Sequence, residues 1–98
     1  MPQNFRDNEE RNRFELDVDG TITFVTYRKS PGAITLVHTD VPPELGGRGI
    51  GSKLGRATLD AVRAQGRQLS VECDFIRSFM TKHPEYNDLL ARSEDTKT

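Results

Sequence analysis

The chain has 98 residues, 34% of them apolar, enough for one domain with one core and too few for a second. Fourteen Lys and Arg against fifteen Asp and Glu leave a formal charge of −1, so no net basic field draws the chain to nucleic acid or an anionic membrane. No apolar run approaches the roughly 20 residues that span a bilayer. The single cysteine, Cys73, excludes an internal disulfide and a cysteine-based zinc site, and fits a reducing cytosol and a cytoplasmic protein.

Met1 to Arg13 is polar and of mixed charge, unlike a secretory signal. The expectation is one domain over residues 1–98 with flexible ends at 1–12 and 91–98. Phe14, Leu16 and Val18 alternate with Glu15, Asp17 and Asp19, the pattern of a half-buried strand. Asp19-Gly20 supplies a tight hairpin turn, and Thr21 to Lys29, rich in β-branched and aromatic residues, is the second strand. Ser30-Pro31-Gly32 turns the chain again, and Ile34 to Thr39 completes an antiparallel meander.

A double proline, Pro42-Pro43, leads into a cluster of Gly46, Gly47, Gly49 and Gly51 around Arg48. A helix starts within this cluster and runs to about Gln65. Ile50, Leu54, Ala57, Ala61 and Ala64 share one face with Val62 beside them, while Lys53, Arg56, Asp60 and Arg63 share the other. Leu59 lies off this stripe, and Gly66 is placed to stop the helix. Gln68 to Cys73 reads as a fourth strand, and a right-handed crossover sets it parallel to the third.

Four close glycines let several backbone N–H groups converge, and the following helix adds its unpaired first-turn donors and positive dipole end. Such a place binds an anion, most often a phosphate. Gly46 and Gly51 have the spacing of a P-loop, but Ser52-Lys53 reverses its final order. A dinucleotide fingerprint fails because Leu54 stands where its third glycine belongs. Two histidines far apart, with no third ligand in register, do not make a metal site, and no metal is expected.

The stretch from Val41 to Leu54 resembles the acetyl-CoA-binding loop of the GNAT N-acetyltransferase superfamily. Its motif is Gln or Arg, two residues, Gly, one residue, then Gly or Ala, between a strand and a helix; Gly49-Ile50-Gly51 match its last part. The chain is similar to the small YjdJ-type branch through His38-Thr39-Asp40-Val41, Pro42-Pro43-Glu44-Leu45 and Gly47-Arg48-Gly49-Ile50-Gly51. The strand ending in Cys73, Phe75, and His83-Pro84-Glu85-Tyr86 extend the match. The resemblance covers about Phe14 to Leu90. It departs at Gly46, where the motif has Gln or Arg, and the early helices and last strands of larger members are missing.

The resemblance and the pattern together give an α/β (α+β) fold. The expectation is a minimal GNAT-like mixed four-stranded sheet, three strands antiparallel and the fourth parallel to the third, with one long helix and shorter C-terminal helices. The resemblance implies acetyl-CoA as cosubstrate, its pyrophosphate on the backbone of Gly46, Gly47, Arg48, Gly49, Ile50, Gly51 and Ser52. The pantetheine arm would lie where the third and fourth strands splay, against backbone groups from Thr39 to Val41, with the thioester toward Cys73. Cys73 is then either a thiol that accepts the acetyl group or a buried structural cysteine. His38, alternating with Ile34 and Leu36, is either a general base or a packing residue.

Larger members commonly place an acidic tyrosine on the helix after this strand. Here that helix carries Phe75 and Phe79, and Tyr86 comes only after the break at Pro84. The implied function is acetyl transfer to an amine acceptor not identified by the sequence, a protein lysine or N-terminus among the options. The alternative is a CoA-binding regulatory or interaction protein without transferase activity.

Overall fold

Residues 4–45 and 49–90 are described by the structure, a computed structural model. Five strands pair in chain order: β1 (Phe5–Asn8), β2 (Arg13–Val18), β3 (Thr21–Ser30), β4 (Ala33–Asp40) and β5 (Gln68–Val71). The first four are antiparallel, and β5 lies parallel to β4 across the helix α1 (Ile50–Gln65). Alternation decides which face is buried. Phe14, Leu16, Val25, Tyr27, Ile34, Leu36 and Leu69 are buried in one core with α1, α2 (Asp74–Lys82) and a 3-10 segment at Pro84–Leu89. At the β2–β3 turn both Asp19 (φ 53) and Gly20 (φ 87) are left-handed, and Asp17 accepts the Gly20 N–H at 2.8 Å. This is the hairpin geometry that Asp-Gly favours.

The sheet has five strands where four were expected. β1 escapes a reading by periodicity because Phe-Arg-Asp-Asn holds one apolar residue in four positions. Tertiary partners hold it instead. Phe5 stacks on Phe14 with ring centroids 5.8 Å apart. Asp7 accepts hydrogen bonds from the Tyr27 hydroxyl, the Lys29 ammonium and the Gln65 amide. Burial and the Asp7 carboxylate together push the Tyr27 phenol well above its ordinary value.

α1 occupies the span that its periodicity predicts, and Gly66, left-handed at φ 69, closes it with an N–H bond to Arg63 O. Its buried surface is wider than one stripe: Leu59 and Thr58 are fully buried and Gly55 is buried, whereas Ala64 is exposed. The sheet covers one side of the helix, and α2 and the 3-10 segment cover another. A Cβ on Gly55 would stand 3.2 Å from the Phe79 ring, so a small residue is needed where the helices meet. Leu59 therefore has an account that a one-sided helix could not give.

No helix packs on the opposite face of the sheet among the described residues; its residues shield one another. Glu15, only 2% exposed, accepts from Arg6 Nε (2.7 Å), Arg13 Nε (2.5 Å) and Asn8 Nδ2 (3.0 Å), and the Arg13 guanidinium lies over the Phe24 ring. Burial raises the carboxyl's pKa, but the bonds from Arg13, Asn8 and Arg6 outweigh it and leave Glu15 below its ordinary value.

Candidate functional site

A β-bulge determines what faces the mouth of the sheet. Tyr27 pairs with Leu36, but Thr26 pairs with His38, which leaves Val37 as an extra residue on β4. One extra residue reverses the alternation beyond it. Ile34 and Leu36 face the core, and past the bulge it is Thr39, opposite Val25, that returns to that face. His38 lies opposite Thr26 on the other face and is exposed. The shared face expected for His38 with Ile34 and Leu36 is thus corrected, because simple alternation cannot register an inserted residue.

The bulge coincides with the end of the parallel ladder. Leu36 and Val71 are the last β4–β5 pair, while β4 continues to Asp40 on β3 alone. Leu36 O accepts from both Glu72 N (2.8 Å) and Cys73 N (3.2 Å), and this pair of hydrogen bonds turns the chain away from β4. The two strands therefore open into a wedge. Its β4 side is the backbone from Val37 onward, and its β5 side ends at Cys73. The expected fourth strand to Cys73 stops at Val71, and Cys73 instead caps α2 with extended backbone (φ −81, ψ 121). Its thiol makes no capping bond, is 5% exposed, and lies 2.9 Å from the Thr39 hydroxyl across the wedge.

α1 begins beside this mouth. Gly49 is left-handed (φ 73), no side chain caps the helix, and its first turn holds no acidic residue. The Lys53 N–H to Gly49 O bond starts the helical ladder, so the N–H groups of Ile50, Gly51 and Ser52 precede it and have no partner within the helix. Phe75, two residues after Cys73 and 40% exposed, lays its ring against Gly51. A small cleft of about 120 Å³ beside it is lined by Ser52, Phe75, Ser78, Phe79, Lys82 and His83. The first turns of both helices thus meet next to the wedge.

The structure brings Thr39, Cys73, Gly51 and Phe75 into one region and sets His38 on the far side of β4. Val41 is half-buried against the core, and the Ile50 side chain is buried, which leaves Ile50 only its main chain to offer a ligand. Gly49 and Ser52 are in place at the helix start, and Gly46, Gly47 and Arg48 lie outside the described residues. Tyr86 is engaged elsewhere: its hydroxyl donates to Asp60 at 2.8 Å, and burial with that carboxylate raises its pKa. His83 stacks on Phe79 at 4.2 Å and closes α2. Among the described residues no group of three or more His, Cys, Asp and Glu could hold a metal, and no helix is long and apolar enough to cross a membrane. Sequence reasoning missed the Thr39 side chain and the Phe75–Gly51 contact. A bulge that turns Thr39 inward leaves no mark in the pattern, but a glycine inside a helix was an available sign of close approach.

Three similarities bear on this arrangement. Residues 13–89 match the family model described as GCN5-related N-acetyl-transferase. The solution structure of a GCN5-like candidate N-acetyltransferase from Staphylococcus aureus superposes with a TM-score of 0.68 at 28% identity, over 92% of this chain and 91% of that one. Protein NATD1 of Bos taurus is 37% identical over 51 residues, which is 52% of this chain and 45% of that protein, so the match spans about half the length of this curated relative. With the family match running from β2 to the end of the 3-10 segment, the chain belongs to the GCN5-related N-acetyltransferase family.

Proposed function

We propose that the protein binds acetyl-CoA and transfers its acetyl group to an amine, and that within its family it stands in the small YjdJ-type branch. The observation that carries this reading is the wedge between β4 and β5, open beside the uncapped start of α1 with Cys73 at its mouth. Three features fit the ligand. The first turn of α1 offers unpaired N–H groups with no acidic side chain among them, as a pyrophosphate needs. Gly51 has no Cβ in the one place where Phe75 needs the room. The β4 backbone from Val37 to Val41 lacks a β5 partner, as an extended amide-bearing chain needs.

Acetyl-CoA supplies an activated acetyl thioester; the chain holds and orients it. The backbone around Gly49, Ile50, Gly51 and Ser52 would hold the phosphates, with Gly46, Gly47 and Arg48 completing the loop, and Thr39 to Val41 would hold the arm. Deprotonated Cys73 forms a bond to the acetyl carbon while the CoA sulfur leaves with its electron pair and takes up a proton. The acceptor amine then displaces the cysteine sulfur. The amine gives up its proton to solvent, because His38 stands on the opposite face of β4 from Thr39 and Cys73.

Calorimetry with acetyl-CoA, followed by transfer assays against a panel of small amines and lysine peptides, tests the reading. Binding with transfer supports it, and no heat at millimolar acetyl-CoA overturns it. Cys73→Ala abolishes transfer with nearly unchanged CoA affinity, and His38→Gln leaves kcat nearly unchanged. Full activity in Cys73→Ala assigns the attack to the amine itself. A second reading, CoA binding without transfer, is favoured by the Tyr86 hydroxyl being held by Asp60; binding without transfer to any acceptor selects it.

A further inference from the structure

Across the wedge, the Thr39 hydroxyl and the Cys73 thiol form a side-chain hydrogen bond. Two independent features produce it. The bulge at Val37 turns Thr39 onto the face that alternation would give to His38, and the paired hydrogen bonds to Leu36 O fix the Cys73 backbone opposite. Without either one, hydroxyl and thiol would not meet. The thiol is 5% exposed, the hydroxyl is half-buried, and 2.9 Å separates oxygen from sulfur. A hydroxyl can donate or accept here, so geometry alone permits two roles. It donates to a thiolate and favours the charged form, or it accepts from the thiol and favours the neutral one.

We propose that Thr39 is the positioning residue for Cys73, donating its hydroxyl proton to the thiolate and holding Sγ toward the open wedge. This rests on the transfer reading for Cys73, and it adds the group that aims the sulfur. Cys73 loses a proton to solvent, its sulfur forms the bond to the acetyl carbon, the bond from that carbon to the CoA sulfur breaks, and the departing thiolate takes up a proton. Throughout, Thr39 keeps its own proton and only shares it. In the second step the amine forms its bond to the acetyl carbon and loses a proton to solvent, the bond from that carbon to the Cys73 sulfur breaks, and the hydrogen bond from Thr39 strengthens again as the departing sulfur regains its charge.

Because the chain has one cysteine, its ionisation can be followed without ambiguity through the Cβ chemical shift of Cys73 by NMR across pH, in the absence of any ligand. In Thr39→Val, which keeps the shape and removes the hydroxyl, the titration midpoint is expected to move up by about one pH unit, a tenfold loss of thiolate at a given pH. Thr39→Ser is expected to restore it, and Thr39→Ala serves as the second variant lacking a hydroxyl. A midpoint that stays in place or moves down in the hydroxyl-free variants overturns the proposal. Transfer assays give the second arm: kcat falls about tenfold in Thr39→Val, KM for acetyl-CoA holds, and Thr39→Ser recovers. If no variant and no wild-type protein transfers acetyl, the transfer reading has failed while the ligand-free titration still decides the role of Thr39.

Discussion

The ring of Phe75 lies so close to Gly51 that a Cβ on that glycine would stand 2.6 Å from the ring's Cζ. The contact joins the first turn of α2 to the first turn of α1, within two residues of Cys73. Position 51 therefore sets the distance between the helix start proposed to hold the phosphates and the helix that begins at the thiol.

Gly51→Ala is expected to push the Phe75 ring outward and weaken acetyl-CoA binding about tenfold, or 1.4 kcal/mol. Adding Phe75→Ala removes the obstacle, so the double variant should recover part of the loss, and a double-mutant cycle by calorimetry measures the coupling. Unchanged affinity in Gly51→Ala would remove the basis for placing the phosphates there. Gly49→Ala acts differently. Nothing lies within 4 Å of its Cβ position, but φ is +73, so the cost, about 1 kcal/mol, falls on the helix start and shows in the denaturation midpoint.

Thr58 is fully buried in α1, and its hydroxyl has no hydrogen-bond partner. Such a group bears the cost of leaving water with no bond in return. Thr58→Val keeps the branched shape and removes the oxygen. It is expected to raise stability by about 1 kcal/mol, read as a higher urea midpoint at unchanged slope. A lower midpoint would mean that the hydroxyl has a partner, such as a buried water.

Glu15 predicts the acid limb of stability. Its carboxyl is held below the ordinary value of 4.5 in the folded chain. The folded state therefore binds its proton at lower pH than the unfolded state does. The stabilisation is complete above the unfolded value and is lost as pH falls through the folded one. Glu15→Gln should be less stable at neutral pH and should show a shallower decline toward acid. Parallel declines in the two proteins would show that other carboxylates govern acid unfolding.

β5 is an edge strand, and its outward groups are covered one by one. Leu69 bridges to Leu90, and the Val71 carbonyl accepts from Arg77 Nη2 at 2.9 Å. Arg77 is itself paired with exposed Asp74, so its removal should change stability little. Arg77→Ala uncovers the Val71 carbonyl and is expected to increase concentration-dependent association, measured by light scattering. Scattering equal to wild type would mean that Leu90 alone protects the edge.

Much of this architecture is legible in the residues. Asp19-Gly20 announces its turn, the Ile50–Gly66 periodicity gives α1 and its stop, and the strand–helix–strand order gives the parallel crossover. What escaped depends on contacts between distant parts of the chain. β1 has no apolar rhythm and exists because Phe14, Tyr27 and Glu15 receive it. The bulge at Val37 coincides with the end of the β4–β5 ladder, and no residue type marks it. For the site, the glycines and Cys73 stood out as residues, while Thr39 became visible only once parity had been reversed.

Strand order follows chain order, and this has a kinetic consequence. The first three ladders are hairpins whose ends meet at small entropic cost, whereas the β4–β5 ladder must wait for α1 to cross the sheet. The meander from β1 to β4 is therefore expected to pair first in refolding, and the end that holds Cys73 to assemble last. Val25→Ala should mainly slow refolding and Leu69→Ala should mainly speed unfolding, as the two arms of a chevron would record. With β5 joined to the sheet only through β4, opening of the end that holds Cys73 would leave the hairpin ladders paired.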